Sequence, residues 1–390
     1  MNNCANLDQL QAFMSERGWT KCQCSICQRT FFTKSPNTSE NTCQWRNCAK
    51  DNQRFLSLPK RKRPLRINQV SESIHDHFKA SGFEISSALN VASSVGQTEL
   101  IVAGVQILDN VIHLGDQPKT DKIFVAQPCV RMQFQPQVST GESISTSFVN
   151  ICSEQMMATF AQHLAAIDCW LSALSKVGLY MDNINLVVRT SPKNWGTGDF
   201  ESLELFFIYG GLELGDAAFF LVLQPNRPAI PVSDIGFGLE RIVWAVNKTE
   251  SYFDNFTPII SSGSRESIDA HRTLALLSLC GVKPSNKGPG LQLRRLIKPI
   301  IKGYSRPSTA DLLAYFCAYW ARFIEPNVPS AEAIRVVQLE AERQINLAIC
   351  HEHKLPPPKD EATDTYLDRL VYNNGMNIHE LRKAVRECTQ

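Results

Sequence analysis

Apolar positions along the chain follow two periods. Leu7, Leu10 and Phe13 lie in phase over residues 5–19, and Val70, Ile74, Phe78 and Phe83 over residues 69–82 and just beyond. Spacings of three to four mark one buried face of a helix. Residues 85–115 carry β-type runs such as ELIVAGVQIL, and residues 123–134, IFVAQPCVRMQF, read as a strand with Arg131 close behind Pro128. Residues 153–178 form a long apolar-rich segment of helical character. INLVVRT, SLELFFIYGG and AAFFLVLQ then follow as strands with short connections and no helix between them, which predicts a largely antiparallel sheet. Leu239, Ile242, Val243 and Val246 share the face of another helix. From about residue 265 the texture is helical: SIDAHRTLALLSLCG, LQLRRLIKPIIKG, TADLLAYFCAYWARFI, residues 330–352 and two short segments at the end. The pattern predicts a region with a largely antiparallel sheet, followed from about residue 265 by an all-α one.

Composition narrows this picture in three places. Hydrophobic residues are 43% and charged residues 20%, as in an ordinary globular chain. Net charge is +2, so any nucleic-acid contact must come from local patches. The N-terminus, MNNCANLDQLQAF, lacks a secretory pattern, and no apolar run is long enough to span a bilayer, so a cytoplasmic setting is expected. Thirteen cysteines in such a setting are metal ligands or core residues before they are disulfides. Cys24 and Cys27 form a C-x2-C pair, and Cys43 and Cys48 a C-x4-C pair. Two close pairs suit a tetrahedral structural zinc; the alternative is scattered reduced thiols.

Charge patterning singles out more positions. LSLPKRKRPLRIN, residues 56–68, is either a phosphate contact or a solvated loop. Between Lys283 and Arg306 lie seven basic residues and no acidic one: Lys283, Lys287, Arg294, Arg295, Lys298, Lys302 and Arg306. That stripe fits a nucleic-acid backbone or a solvated helix face. Glu204 sits inside the apolar run LELFF, so it is a ligand-binding carboxylate with a partner or a surface residue of an edge strand. PVSDIGFGLERIVWAV presents Asp234, Gly236, Gly238, Glu240 and Arg241 at a helix start. Glycines let backbone approach a ligand, and an arginine fork suits phosphate; the plain alternative is a surface turn.

These stretches together resemble the catalytic and tRNA-recognition part of alanyl-tRNA synthetase in its archaeal form. DIGFGLERIVWA is similar to the family's V-D-T-G-x-G-L-E-R-I-V-W-A, and VAQPCVRMQ to its S-Q-P-C-I-R-L. NWGTGDFESLELFFIYGGLELGDAAFF, DAHRTLALLSLCGVKPSNKGPGLQLRRLI and the cysteine pairs also resemble family segments in the same order. The resemblance implies an α+β fold: an N-terminal helix and zinc knuckle at 1–58, a class II synthetase domain at 59–260 with an antiparallel sheet flanked by helices, an all-α tRNA-recognition domain at 261–390, and use of ATP and Mg2+. It implies that Arg131 holds the α-phosphate of ATP and Arg241 the γ-phosphate, with Gly236, Gly238 and Glu240 also in the ATP site. Asp234 would bind the α-ammonium of the amino acid, Trp195 would wall its side-chain pocket, and Glu204 and Asp216 would stand beside it. Asn286, Arg294, Arg295 and Lys298 would contact the tRNA acceptor stem.

Departures from the family pattern bear on the reading. The second motif's Arg, His and Glu positions hold Ser143, Ile144 and Val149, and SSVGQ stands where the first motif is expected. Asp216 replaces a neutral residue, and Tyr372 replaces an Asp that helps read the acceptor stem. No part of these residues resembles the family's H-x3-H editing domain. Three functions follow: charging tRNA with alanine or a similar small amino acid without editing, activating an amino acid for a small-molecule acceptor, or a non-catalytic paralogue that binds nucleotide or tRNA. The residues name neither the amino acid nor an oligomeric state.

Overall fold

The computed structural model describes residues 3–36, 41–49, 51–92, 98–111, 121–195, 198–224, 227–256, 264–359 and 361–389. Contacts divide the chain into two compact units that interleave in sequence. Residues 1–88, 103–127 and 148–256 form the first, and residues 89–102, 128–147 and 257–390 the second.

The first unit is built on a nine-stranded sheet. In chain order its strands are β1 (Thr20–Gln23), β2 (Thr30–Thr33), β3 (Glu84–Ile85), β4 (Lys122–Val130), β5 (Ser147–Met156), β6 (Ile184–Trp195), β7 (Gly198–Tyr209), β8 (Leu212–Gln224) and β9 (Arg227–Gly238). Their spatial order is β1-β2-β6-β7-β8-β9-β5-β4-β3. Pairing is antiparallel from β1 through β5, and β3 joins β4 in parallel. The antiparallel expectation from the short connections therefore holds for β6, β7 and β8. Helices α1 (Asn3–Glu16), α2 (Ile67–Ala80), α3 (Phe160–Lys176) and α4 (Leu239–Asn247) complete the unit.

One face of the sheet carries the aromatic core. Trp170 of α3 lies 4.4 Å from Phe237 and 4.6 Å from Phe78 of α2, and Phe160 lies 5.3 Å from Phe219. Burial of rings this size dominates core energetics. Polar groups under α3 are matched: Trp170 Nε1 donates to Ser153 Oγ at 2.8 Å, and His163 Nδ1 lies 2.7 Å from Ser233 Oγ.

Two expectations fail here for identifiable reasons, and one strand goes unread. The run ELIVAGVQIL is not a strand; residues 104–108 form a 3-10 turn. Gly104 donates to Asn150 Oδ1 at 2.7 Å and presses on Cys152 so closely that a Cβ there would lie 2.1 Å from its sulfur. The apolar residues of this turn cover the second face of the sheet, where Leu108 clusters with Met156, Phe220 and Val232. The helix expected at 153–178 starts only at Phe160, because β5 runs to Met156, Met157 takes φ 54°, and Thr159 caps the helix through Gln162. Residues 227–238 are a long interior strand despite Pro228, Pro231, Gly236 and Gly238; those residues are depleted in strands and hide it.

The second unit contains α5 (Arg265–Leu279), α6 (Gly288–Ile301), α7 (Arg306–Trp320), α8 (Ser330–His353), α9 (Thr363–Asn374) and α10 (Ile378–Thr389). All are near their expected places. α5 is the hub, buried from Ile268 to Leu279 and packed on α6, α7 and α8. Its Arg272 is fully buried, donates to Ser147 O and to Tyr319 Oη, and lies over the rings of Tyr319 and Trp320 at 5.0 and 4.5 Å. Among the described residues no helix is long and apolar enough to cross a membrane.

His163 gives the first unit a pH signature. Burial lowers its pKa from 6.5 to about 3. As pH falls below the unfolded value, the denatured imidazole takes up a proton that the native one refuses. Stability is therefore lost between these limits at up to about 1.4 kcal/mol per pH unit. Between pH 7 and pH 5 the wild type is expected to lose about 2 kcal/mol more than His163→Gln, measured by urea unfolding. Equal losses in the two proteins would show that His163 takes up its proton in the native state as readily as in the unfolded one.

Candidate active-site face and metal knuckle

Opposed residues of paired strands share a face of the sheet, and alternate residues return to it. Arg189 opposes Glu204, Glu204 opposes Ala218, Ala218 opposes Asp234, and Asp234 opposes Glu154. Two residues along, Phe206, Asp216, Gly236 and Cys152 form the next row. The second face thus gathers Glu204, Asp216, Asp234 and Glu154 across β7, β8, β9 and β5, with the small Ala218 and Gly236 between them. Glu204 is buried at 5% exposure, with Arg189 Nε 3.8 Å from its carboxylate. This excludes the edge-strand alternative for Glu204. Asp216 and Asp234 are half-buried. Carboxylates about 5 Å apart per strand step form a field that favours a bound cation.

Arg241 lies on the first turn of α4, its stem 3.5 Å from where a Cβ on Gly238 would sit. Its Nη1 donates to Glu213 O at 3.2 Å and stands 3.9 Å from Glu213 Oε1. Glu240 is fully buried and accepts Val149 N with both oxygens at 3.1 Å, so it braces β5 against α4. Gly236 makes room for the Asn150 side chain, whose Nδ2 would lie 2.8 Å from an added Cβ. Trp195 ends β6, and its side chain lies outside the described residues. SSVGQ, residues 93–97, also lies outside them.

Residue-by-residue reading missed Glu154, Arg189, Asn150 and Glu213. Glu154 was hidden by reading its segment as helix; the others become visible only through strand register.

The four predicted cysteines come together. Cys24 and Cys27 lie in the turn between β1 and β2, and Cys43 and Cys48 flank a short loop, with all four sulfurs within 4.8 Å of one another. Cys27 Sγ and Cys43 Sγ are 3.8 Å apart. That matches the edge of a tetrahedron with Zn–S bonds of about 2.3 Å. Burial raises the Cys43 and Cys48 thiols, while at Cys24 backbone donors from Cys27, Cys43 and Ile26 outweigh burial and bring its pKa down to about 6. Donor set and spacing fit zinc, and four sulfurs close the coordination shell.

In the second unit, Arg131 directly follows β4. Its N donates to Thr146 O at 2.8 Å and its Nε to Val102 O at 2.7 Å. The basic stripe separates into three sets, of which Lys283 and Lys287 line a cavity of about 530 Å³. Arg294 reaches the buried Glu340 at 3.2 Å and also donates to Asn286 Oδ1, while Arg306 reaches the buried Glu342 at 3.6 Å. Arg295, Lys298 and Lys302 instead line an open cavity of about 1420 Å³ with His271, Asp311 and Tyr315. Tyr372 on α9 is 85% exposed.

Comparison with known proteins gives a class first: aminoacyl-tRNA ligases, at distant similarity. The particular relatives are alanine–tRNA ligases. The chain is 23% identical to that of Methanosarcina acetivorans over 267 residues, covering 63% of this chain and 28% of the relative. It is 24% identical to that of Archaeoglobus fulgidus over 319 residues, covering 73% and 34%. A shorter match to that of Bacillus velezensis is 31% identical over 135 residues, covering 28% and 15%. The chain thus spans about a third or less of the length of these curated relatives. No family model matches the chain. A solved pyrrolysyl tRNA synthetase from Desulfitobacterium hafniense is similar at 18% identity and a TM-score of 0.32, covering 49% of this chain and 70% of that one. A superposition of that quality does not define a shared fold.

The cysteine geometry carries a direct expectation. Purified protein should contain about one zinc per chain, and Cys43→Ser should lose it with a drop in melting temperature. Folded protein without metal and with all four thiols open to alkylation would refute the zinc assignment.

Proposed function

We propose that the chain uses ATP to activate a small amino acid, alanine or one of similar size, as an aminoacyl adenylate, and passes the aminoacyl group to tRNA. The observation that carries this reading is the carboxylate face with Arg241 at its end. An α-ammonium needs buried acceptors, and Asp234 with Asp216 and Glu204 beside it supplies them. A triphosphate needs a fixed fork of donors, and Arg241 is held at one nitrogen by Glu213. The distant similarity to alanine–tRNA ligases points the same way.

The chemistry asks little proton transfer of the protein. A carboxylate oxygen of the amino acid attacks the α-phosphorus, the bond to the β-phosphate oxygen breaks, and pyrophosphate leaves. Charge gathers on the phosphoryl oxygens, so oriented cations carry the catalysis. In this reading Arg241 binds the γ-phosphate, and Arg131 the α-phosphate. Magnesium comes with ATP as part of the substrate and screens its phosphates from one another. Asp234 holds the ammonium and turns the carboxylate toward phosphorus. Glu204 is fixed by Arg189, Gly236 makes room for Asn150, and Gly238 lies beneath the stem of Arg241.

For the RNA acceptor, Arg295, Lys298 and Lys302 line one open cavity and Lys283 and Lys287 another, and such cations suit backbone phosphates. Arg294 and Asn286 are engaged with each other, so in this reading they shape the loop before α6. A second reading, a small-molecule acceptor, is favoured by Tyr372, which offers an exposed ring and one hydroxyl where the resemblance calls for a carboxylate.

Amino-acid-dependent ATP–pyrophosphate exchange tests the activation step. Arg131→Ala and Arg241→Ala should each cost about 100-fold or more, the scale of one lost transition-state donor. Asp234→Asn should raise the amino-acid KM with a smaller effect on that of ATP; unchanged exchange in all three variants would remove the assignment. Salt dependence tests the acceptor. Replacing Arg295, Lys298 and Lys302 by Gln should lower the slope of log K against log salt for tRNA by about 2–3 units. Robust exchange with no tRNA binding would favour the small-molecule acceptor.

A further inference from the structure

Glu213 is the meeting point of two parts of the first unit that the sequence keeps far apart. From one side Arg241 takes its main-chain oxygen at 3.2 Å and approaches Oε1 at 3.9 Å. From the other, Trp45 Nε1 donates to Oε2 at 2.5 Å and Arg46 Nε stands 3.7 Å from the same oxygen. Trp45 and Arg46 lie in the loop between Cys43 and Cys48. Gln44 and Arg46 there have φ of 58° and 52°, a left-handed conformation that costs energy away from glycine. Such a kink persists only where its surroundings hold it, and the cysteines at both ends of the loop do so.

The loop is also packed. Trp45 is buried, stacks on Phe206 at 4.5 Å, and belongs to the cluster that contains Cys24, Cys43 and Cys48. The guanidinium groups of Arg46 and Arg29 lie 4.6 and 5.2 Å from its ring. Its indole N–H therefore has a fixed direction, and that direction is the Glu213 carboxylate. Glu213 in turn sits at an irregular step of β8, where the register against β7 shifts between Phe207 and Ile208. Bulges re-aim side chains, and this one coincides with the residue that faces the loop.

We infer that Trp45, through Glu213, is a positioning element for Arg241, so that the metal knuckle sets the geometry of the phosphate-binding arginine. Neither Trp45 nor Glu213 touches ATP in this arrangement. A guanidinium is a planar fork, and fixing one nitrogen orients the whole group. The knuckle thereby preorganises the phosphate donor as well as stapling the N-terminal hairpin to the sheet. The inference rests on the reading of Arg241 as an ATP ligand.

The test is ATP affinity measured by calorimetry, without turnover. Trp45→Phe keeps the stack on Phe206 and loses the N–H; Glu213→Gln keeps the shape and loses the charge. Each should weaken ATP on the order of tenfold, the scale of a hydrogen bond to a charged group, with zinc content and amino-acid affinity unchanged. Arg241→Lys keeps a cation and loses the fork, so ATP binding should weaken and remain measurable. In that background Trp45→Phe should add almost nothing, because its effect passes through Arg241. Chelation of the metal in the wild type should weaken ATP as Trp45→Phe does. Full additivity of Trp45→Phe with Arg241→Lys, or wild-type ATP affinity in both Trp45→Phe and Glu213→Gln, would overturn the inference. Unchanged ATP affinity in Arg241→Lys and Arg241→Ala would instead remove the reading beneath it.

Discussion

The register of four antiparallel strands decides what this molecule can bind. Glu204, Ala218, Asp234 and Glu154 stand in one row because β7, β8, β9 and β5 are aligned at those residues. A slip of one residue in any strand would send its carboxylate to the aromatic face beneath α3. That outcome is costly, since it buries a charge among Trp170, Phe219 and Phe237. The core therefore enforces the register, and the register assembles the polar face. Packing and chemistry are two sides of one sheet.

Much of this was legible in the sequence where period and local spacing carry the signal. The four cysteines were readable because metal chelation is local: each pair sits within one turn. The helices of the second unit were readable because their apolar faces repeat over several turns, as in SIDAHRTLALLSLCG. Long-range register was not legible. Nothing near Glu154 says that it will lie opposite Asp234, and an apolar run on a strand buried on both faces looks like a helix segment. The strand at 227–238 was masked by its own prolines and glycines. Gly236 is small because Asn150 fills the space above it, a reason that only the partner strand supplies.

The basic stripe shows the same limit in electrostatic form. Counted along the chain, Arg294 and Arg295 are equivalent. On a helix they point about 100° apart, and that angle gives Arg294 to the buried Glu340 and leaves Arg295 on the cavity. The carboxylates of α8 are the cause. Glu340 and Glu342 are almost fully buried, and a buried carboxylate without a cation would be far more costly than a surface arginine without a phosphate. A stripe of seven charges is thus divided by what the neighbouring helix needs first.

The same reasoning explains why an arginine at the start of α4 required a partner. In the proposed reading, a guanidinium beside a carboxylate-lined face is drawn toward that face, and a second contact is needed to aim it at a triphosphate. Glu213 counters this by taking Arg241 at the far end of the row, through both its main-chain oxygen and its side chain. Glu213 would itself be pulled toward Arg241 and lose its position without the indole and guanidinium of the knuckle on its other oxygen. Opposed contacts on the two oxygens of one carboxylate hold it in place more firmly than either alone, since neither can shorten without stretching the other. The cysteines then fix the loop that supplies the second contact. In the proposed reading, a metal centre with no open coordination position would in this way act on a phosphate site without taking part in its chemistry.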